Sequence, residues 1–269
     1  MLALSPQVFA ILSALVGERS GLHYDLSHLP VFADKVGARA VELGFESLLD
    51  YYYFLRYDPQ GPSELDSLVE TLVVHETYLF RELAPLEIMV ANLIAPAVEA
   101  GRRPRIWCAA CATGEEAHTV ALLLAARGIL DRVSLVASDI SESALQRARS
   151  GRFKGRALRQ SLPSVAEPWL EVDERGVSAH PRLTQAIDWR RVNLVDPGSV
   201  SALGTFDVVL CRNVLIYFSD RTARQVVDAI AAVLSPGGAL FVGISESLLR
   251  LGTTLICEEQ QGVFLYKKS

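Results

Sequence analysis

The stretch RIWCAACATGEEAHTVALLLAARGILDRVSLVASDISESALQRARS, residues 105–150, decides the fold. Ile106 to Ala110 is an apolar run. It opens into a turn of small residues, Cys111-Ala-Thr-Gly114, and then into a segment carrying Val120, Leu122, Leu123 and Leu124. This order predicts a buried strand, a loop and a helix. Val133 to Ala137 repeats the strand and ends at Ser138-Asp139, and Ser141 stands as the N-cap of a second helix containing Leu145 and Ala148. The unit is βαβα, so its strands are parallel and its crossover right-handed. In such a sheet a ligand sits beyond the carboxyl ends of the strands, which puts residues 111–116 and Asp139 around one pocket.

Asp139 occupies the place from which a carboxylate accepts hydrogen bonds from the ribose of a nucleoside cofactor. Glycine content selects among such cofactors. A pyrophosphate needs close backbone approach, usually through G-x-G-x-x-G, whereas this loop has Gly114 alone, followed by Glu115 and Glu116. Two carboxylates there repel a diphosphate. They accept a cationic nucleoside such as S-adenosylmethionine, with its ammonium and sulfonium groups. The competing reading of the same residues is an ordinary βαβ turn with solvated glutamates.

Composition bounds the rest. A chain of 269 residues, 50% hydrophobic, can bury a sizeable core in one or two domains. A net charge of −5 argues against a dedicated nucleic-acid binder. No apolar run reaches the roughly 18–20 residues of a membrane span. The opening MLALSPQVFAILSALVG lacks a basic leader, and its Ser5-Pro6 reads as N-cap and first helical residue. A cytoplasmic chain without membrane insertion is expected. Of the cysteines, Cys108, Cys111, Cys211 and Cys257, the first two have metal or redox spacing. No second pair accompanies them and Cys108 lies inside a predicted strand, so free thiols and no metal are expected.

Residues 1–82 read as a helical domain. Val8, Ile11, Leu12 and Leu15 share one face; Val31, Phe32, Val36, Ala40 and Leu43 another; Phe45 to Tyr57 makes a third helix; and Ser63 reads as the cap of a fourth, with Leu65, Leu68, Val69 and Leu72 along one side. Residues 1–70 carry four basic and ten acidic residues, a net −6 that leaves +1 for the remainder. This acidity makes Tyr51-Tyr-Tyr-Phe54 packing residues rather than a base-stacking platform. Residues 83–269 form the second domain. Within it the βα rhythm breaks at about 152–191, where strand-like pieces at Trp169–Val172, Gly176–Ala179 and Ala186–Trp189 read as a small β-rich insertion. The rhythm resumes at Val192-Asn193-Leu194, the end of a strand, and at the buried strand Phe206–Cys211. A helix from Asp220 follows, and then the last two strands, Ala239–Ile244 and Gly262–Tyr266.

E-T-Y-L-F-R-E (76–82), A-A-C-A-T-G-E-E (109–116), A-S-D-I (137–140), A-R-S-G (148–151), N-L (193–194), C-R-N-V-L-I-Y-F (211–218) and G-I-S-E-S (243–247) occur in this order. Together they resemble the CheR-type chemotaxis receptor methyltransferases across nearly the whole chain. The resemblance implies an α/β fold: a Rossmann-like class I methyltransferase sheet with an N-terminal all-helical domain and a small β insertion. It implies transfer of a methyl group from S-adenosylmethionine to glutamate side chains on chemoreceptor signalling helices, giving a methyl ester and S-adenosylhomocysteine. Position by position, Thr77, Arg81, Glu115, Asp139, Asn193, Leu194, Cys211 and Arg212 resemble the family's cofactor contacts, and Arg81 and Tyr217 its catalytic pair. His75 stands where many members have asparagine, and is a further cofactor candidate.

The chemistry agrees from below. A glutamate carboxylate is ionised near neutral pH, so attack on a sulfonium methyl requires in-line placement and exclusion of water rather than a strong base. Arg81 and Arg212 have the paired donors to orient carboxylates. The expected partner is the cytoplasmic signalling helix of a chemoreceptor, met by a monomer without nucleic acid. Docking is expected on the basic run containing Arg152, Lys154 and Arg156 and on the insertion, because the helical domain is acidic. Competing readings are a methyltransferase acting on RNA or a small molecule, and a non-catalytic S-adenosylmethionine-binding interaction module.

Overall fold

The computed structural model describes residues 2–159 and 162–269. Contacts divide the chain into two units, one of residues 1–74 with 217–222 and one of residues 75–216 with 223–269. The division falls after Val74, eight residues before the expected domain end at 82. It also sends Tyr217 to the helical unit.

The helical unit holds α1 (Pro6–Ser20), α2 (Leu29–Glu42), α3 (Leu48–Tyr57) and α4 (Gly61–Leu72). Ser5 caps α1 by accepting from the Val8 amide, and Ser47 caps α3. Ser63, expected as a cap, lies inside α4, which begins at Gly61. Leu12, Val16, Phe32, Val36, Tyr51 and Leu68 are completely or almost completely buried. A part-buried ion pair borders them. Arg39 donates to both Glu64 oxygens at 2.8 and 2.7 Å, and the Tyr51 hydroxyl donates to the same carboxylate at 2.6 Å. Burial first, and then Glu64, pushes the Tyr51 phenol well above its ordinary range.

In the second unit, α5 (Leu83–Ile88), a π-helical turn over Met89–Ile94 and α6 (Ala95–Glu99) run continuously. The wider turn lies just ahead of Pro96, whose ring and missing N–H spoil α-helical spacing. The chain then alternates: β1 (Arg105–Ala109), α7 (Glu115–Ala126), β2 (Ser134–Asp139) and α8 (Glu142–Ser150). Next come the inserted strands β3 (Arg152–Phe153), β4 (Leu170–Asp173) and β5 (Gly176–Ala179), then α9 (Pro181–Gln185), β6 (Ile187–Arg191) and α10 (Pro197–Ser201). The chain ends with β7 (Phe206–Cys211), α11 (Asp220–Val233), β8 (Leu234–Phe241), β9 (Ile256–Gln260) and β10 (Val263–Lys267).

Seven strands form one sheet in the order β6-β2-β1-β7-β8-β10-β9, parallel except at β10, which is antiparallel to both neighbours. Two expectations are corrected here. The piece at Ala186–Trp189 is not part of the insertion; Ile187–Arg191 is an edge strand of the main sheet, parallel to β2. A strand unread in the sequence, β9, lies between the two expected last strands in the chain. The insertion is therefore the three-stranded sheet β3-β5-β4. Both faces of the main sheet are covered, as parallel strands require. Ile106, Cys108, Leu135, Ala137 and Leu210 face one cluster with Val120 and Leu124 of α7, while Trp107 is fully buried and donates to Ser138 Oγ at 2.9 Å.

Candidate active site

Register brings the informative residues to one end of the sheet. Ala109 at the end of β1 lies beside Ser138 of β2 and Cys211 of β7, and Asp139 lies beside Arg191 of β6. The β1–α7 loop then adopts a shape that side chains resist. Ala110, Ala112 and Gly114 all have left-handed backbones, with φ of 52°, 47° and 90°. Such a conformation costs a residue with a Cβ about 1–2 kcal/mol, so neighbours must enforce it. Asp139 does so directly, one oxygen accepting from the Ala112 amide at 2.8 Å and the other from the Ser141 amide at 2.9 Å. The Cys111 amide donates to the Ser138 carbonyl at 2.9 Å. Asp139 is 6% exposed. The Val192 amide donates to the Asp139 carbonyl at 3.0 Å, which sets Asn193 and the buried Leu194 just beyond it.

Glu115 opens α7 and is 5% exposed. Its carboxylate takes a hydrogen bond from Thr113 Oγ1 at 2.7 Å. Burial raises its pKa, opposed by the Thr113 bond and the Arg156 charge. Among the described residues no cation lies within ion-pair distance of Glu115. A buried carboxylate so placed at a helix N-terminus fits a cationic group arriving from outside, such as the ammonium of S-adenosylmethionine.

The strand-end charge is organised around Arg212, whose side chain is 1% exposed. It donates to Glu116 Oε2 at 2.7 Å, to Glu82 Oε2 at 2.9 Å, and to the carbonyls of Arg81 and Glu82 at 3.0 and 3.1 Å. Its Nε is buried without a hydrogen-bond partner. The two carboxylates respond oppositely. Burial pushes Glu82 up, but the Arg212 bond and charge, with donors from Asn213 and Ile244, hold it below its ordinary range. Burial keeps Glu116 above its ordinary range despite Arg212. Two carboxylates on one guanidinium leave the cluster negative when both are ionised, which favours a cationic donor.

Asn213 follows with φ 58°. Glu246 fixes it, accepting from the amides of Asn213 and Gly243 at 2.7 Å each and of Ile216 at 3.3 Å. A Cβ on Gly243 would fall 2.5 Å from Asn213 Nδ2 and 2.9 Å from Glu246 Oε2, so glycine is what admits both side chains. Asn213 also donates to Glu82 Oε1 at 3.3 Å.

The expected residues divide. Glu115, Asp139, Cys211 and Arg212 meet at the strand ends, and Arg81 joins them through its carbonyl. The Arg81 side chain donates to the Glu76 carbonyl at 3.0 Å, lies 5.7 Å from the Tyr78 ring centre and comes within 4.0 Å of Glu82 Oε1. His75 and Thr77 are half-buried on the same segment. Arg212 is engaged through Nη1 with Glu116 and through Nη2 with Glu82. Cys211 is fully buried with its thiol pushed up by burial, leaving its backbone as its contribution. Tyr217 groups with the helical unit, where its carbonyl accepts from His23 N at 2.9 Å. Glu116 was read with Glu115 as one of two loop carboxylates facing a cationic ligand, whereas Glu82, Asn213 and Glu246 were not read as site residues although each lies inside a quoted motif.

The strand order, the strained turn after β1 and the acidic residue ending β2 define a class I S-adenosylmethionine-dependent methyltransferase. Residues 75–263 match the family model described as CheR methyltransferase, SAM binding domain. The chain belongs to the CheR methyltransferase family. It is 32% identical over 243 residues to chemotaxis protein methyltransferase 2 of Vibrio cholerae, covering 88% of this chain and 84% of that one. It is 34% identical over 218 residues to chemotaxis protein methyltransferase 1 of Pseudomonas aeruginosa, covering 77% and 78%. A probable biofilm formation methyltransferase, WspC, of Pseudomonas putida is 32% identical over 242 residues, covering 87% of this chain and 56% of that protein.

Proposed function

We propose that this enzyme methylates glutamate side chains on the cytoplasmic signalling helices of chemoreceptors. The observation that carries the reading is the similarity, along most of the chain, to proteins named chemotaxis protein methyltransferases. The bound donor supplies an electrophilic methyl on sulfur. As the substrate carboxylate forms its C–O bond the C–S bond breaks, leaving a methyl ester and S-adenosylhomocysteine. Asp139 holds the ribose, Glu115 the cationic amino-acid end, and Asn193-Leu194 with Cys211-Arg212 surround the adenine and methionine portions. His75, Thr77 and Arg81 cover the donor from the 75–82 segment, and Arg81 places the accepting carboxylate. Catalysis is positioning and exclusion of water.

Docking uses the inserted sheet and the exposed Arg152, Lys154 and Arg156 beside it, whose charge suits an acidic helix. The similarity to a protein named for biofilm formation supports a second reading, the same chemistry on a receptor serving another output. The test is transfer of tritiated methyl to receptor signalling fragments, followed by base treatment. Volatile, base-released methanol supports an ester. Base-stable label, or donor binding without transfer, rejects it. Charge reversal of Arg152, Lys154 and Arg156 together should weaken transfer in a salt-dependent way.

A further inference from the structure

His118 is 1% exposed and sits one turn into α7, a position the activity above does not use. Its Nδ1 lies 2.8 Å from the Gly114 carbonyl oxygen, which also accepts from the His118 amide at 2.9 Å. A carbonyl only accepts, so Nδ1 carries the proton. Nε2, 3.1 Å from Thr184 Oγ1, then accepts from that hydroxyl. One tautomer satisfies both contacts. The ring is gripped from two sides, edge-on by Phe153 at 5.0 Å between centroids and obliquely by Trp189 at 5.5 Å. Thr184 belongs to α9, between the inserted sheet and β6. Its hydroxyl has room because residue 151, at the end of α8 with φ 62°, is glycine; a Cβ there would fall 2.6 Å from Thr184 Oγ1.

The Gly114 carbonyl ends the strained loop that carries Ala110 and Ala112. Asp139 secures that loop in its middle, and the imidazole secures it where the helix begins. Without the second hold the Gly114 carbonyl keeps only the His118 amide as donor, next to Glu115. We propose that His118 is a positioning residue for the methyl donor: through its Nδ1–H it fixes the Gly114 carbonyl, and through Nε2 it ties the donor loop to the Thr184 hydroxyl on α9. This rests on the family's S-adenosylmethionine assignment.

The experiment is calorimetric titration of S-adenosylhomocysteine into the full chain, with donor KM and kcat measured alongside. Thr184→Val removes the hydroxyl at nearly constant shape. His118→Phe keeps a ring between Phe153 and Trp189 but removes both bonds, and His118→Asn keeps a donor for Gly114. We expect Thr184→Val to weaken binding about fivefold and His118→Phe about tenfold or more, the loss of one and two hydrogen bonds. His118→Asn should recover most of the loss, and donor KM should rise with kcat little changed. Nitrogen-15 spectra of the wild type should show His118 protonated at Nδ1. Unchanged affinity in folded Thr184→Val and His118→Phe overturns the proposal, as does a lowered Tm with unmoved affinity, or a proton on Nε2. If His118→Phe fails to fold, Thr184→Val alone decides. A wild type that takes up no S-adenosylhomocysteine overturns the donor assignment itself, a separate failure.

Discussion

Arg212 and Glu116 stand 2.7 Å apart at the end of β7, with the arginine side chain 1% exposed. Removing one partner of a buried pair strands the other charge, a larger effect than the net worth of the pair. Here two carboxylates would be stranded. Arg212→Met should destabilise the fold by about 3–5 kcal/mol in urea unfolding. The variant should regain part of that on acidification from neutral pH towards 5, as the stranded carboxylates protonate. A loss under 1 kcal/mol at neutral pH contradicts this.

Glu115 sets stability against binding. Burial raises its pKa, so its ionised form at neutral pH weighs against the folded state, and the contribution it makes when protonated fades as pH rises through the raised value. Glu115→Gln should leave the unliganded fold as stable as wild type or more so, while S-adenosylhomocysteine binds about tenfold more weakly. Thermal unfolding with and without ligand separates the two effects. A variant that loses stability without ligand rules this out.

His118 contributes a pH dependence of opposite direction. Burial lowers its pKa from 6.5 to about 4, so the unfolded chain takes up a proton that the folded chain refuses. Its contribution is complete above 6.5 and declines as pH falls towards 4, by roughly 3 kcal/mol in all. Replacement by Asn should flatten the stability profile across that window. An unaltered profile would show that other groups produce it.

Glu246 gathers three amides, and an amide side chain offers one acceptor oxygen in place of two. Glu246→Gln should cost about 1–3 kcal/mol and slow transfer more than it weakens donor binding, because Asn213 loses its hold. Equal losses in binding and turnover would place Asn213 away from the acceptor.

The βαβα core was legible because buried parallel strands are short apolar runs bounded by turn residues, and Asp139 and Glu115 followed from their places at a strand end and a helix start. The edges were not legible. Ile187-Asp-Trp-Arg-Arg191 and Ile256-Cys-Glu-Glu-Gln260 carry charges where a central strand would be apolar, so one was read into the insertion and the other missed. Nor does sequence spacing reveal that Arg212 reaches back across 130 residues to Glu82. The motifs held these residues, but only the crossing of β7 beside β1 joins them.

Those same charged borders carry a consequence of their own. β6 and β9 each leave one row of amides and carbonyls unmatched, a template on which another chain could add. Asp188, Arg190 and Arg191 on one side and Glu258 and Glu259 on the other mark each border with charge of a different pattern. Two Glu258-Glu259 borders laid together bring like charges opposite, which opposes edge-to-edge pairing at β9.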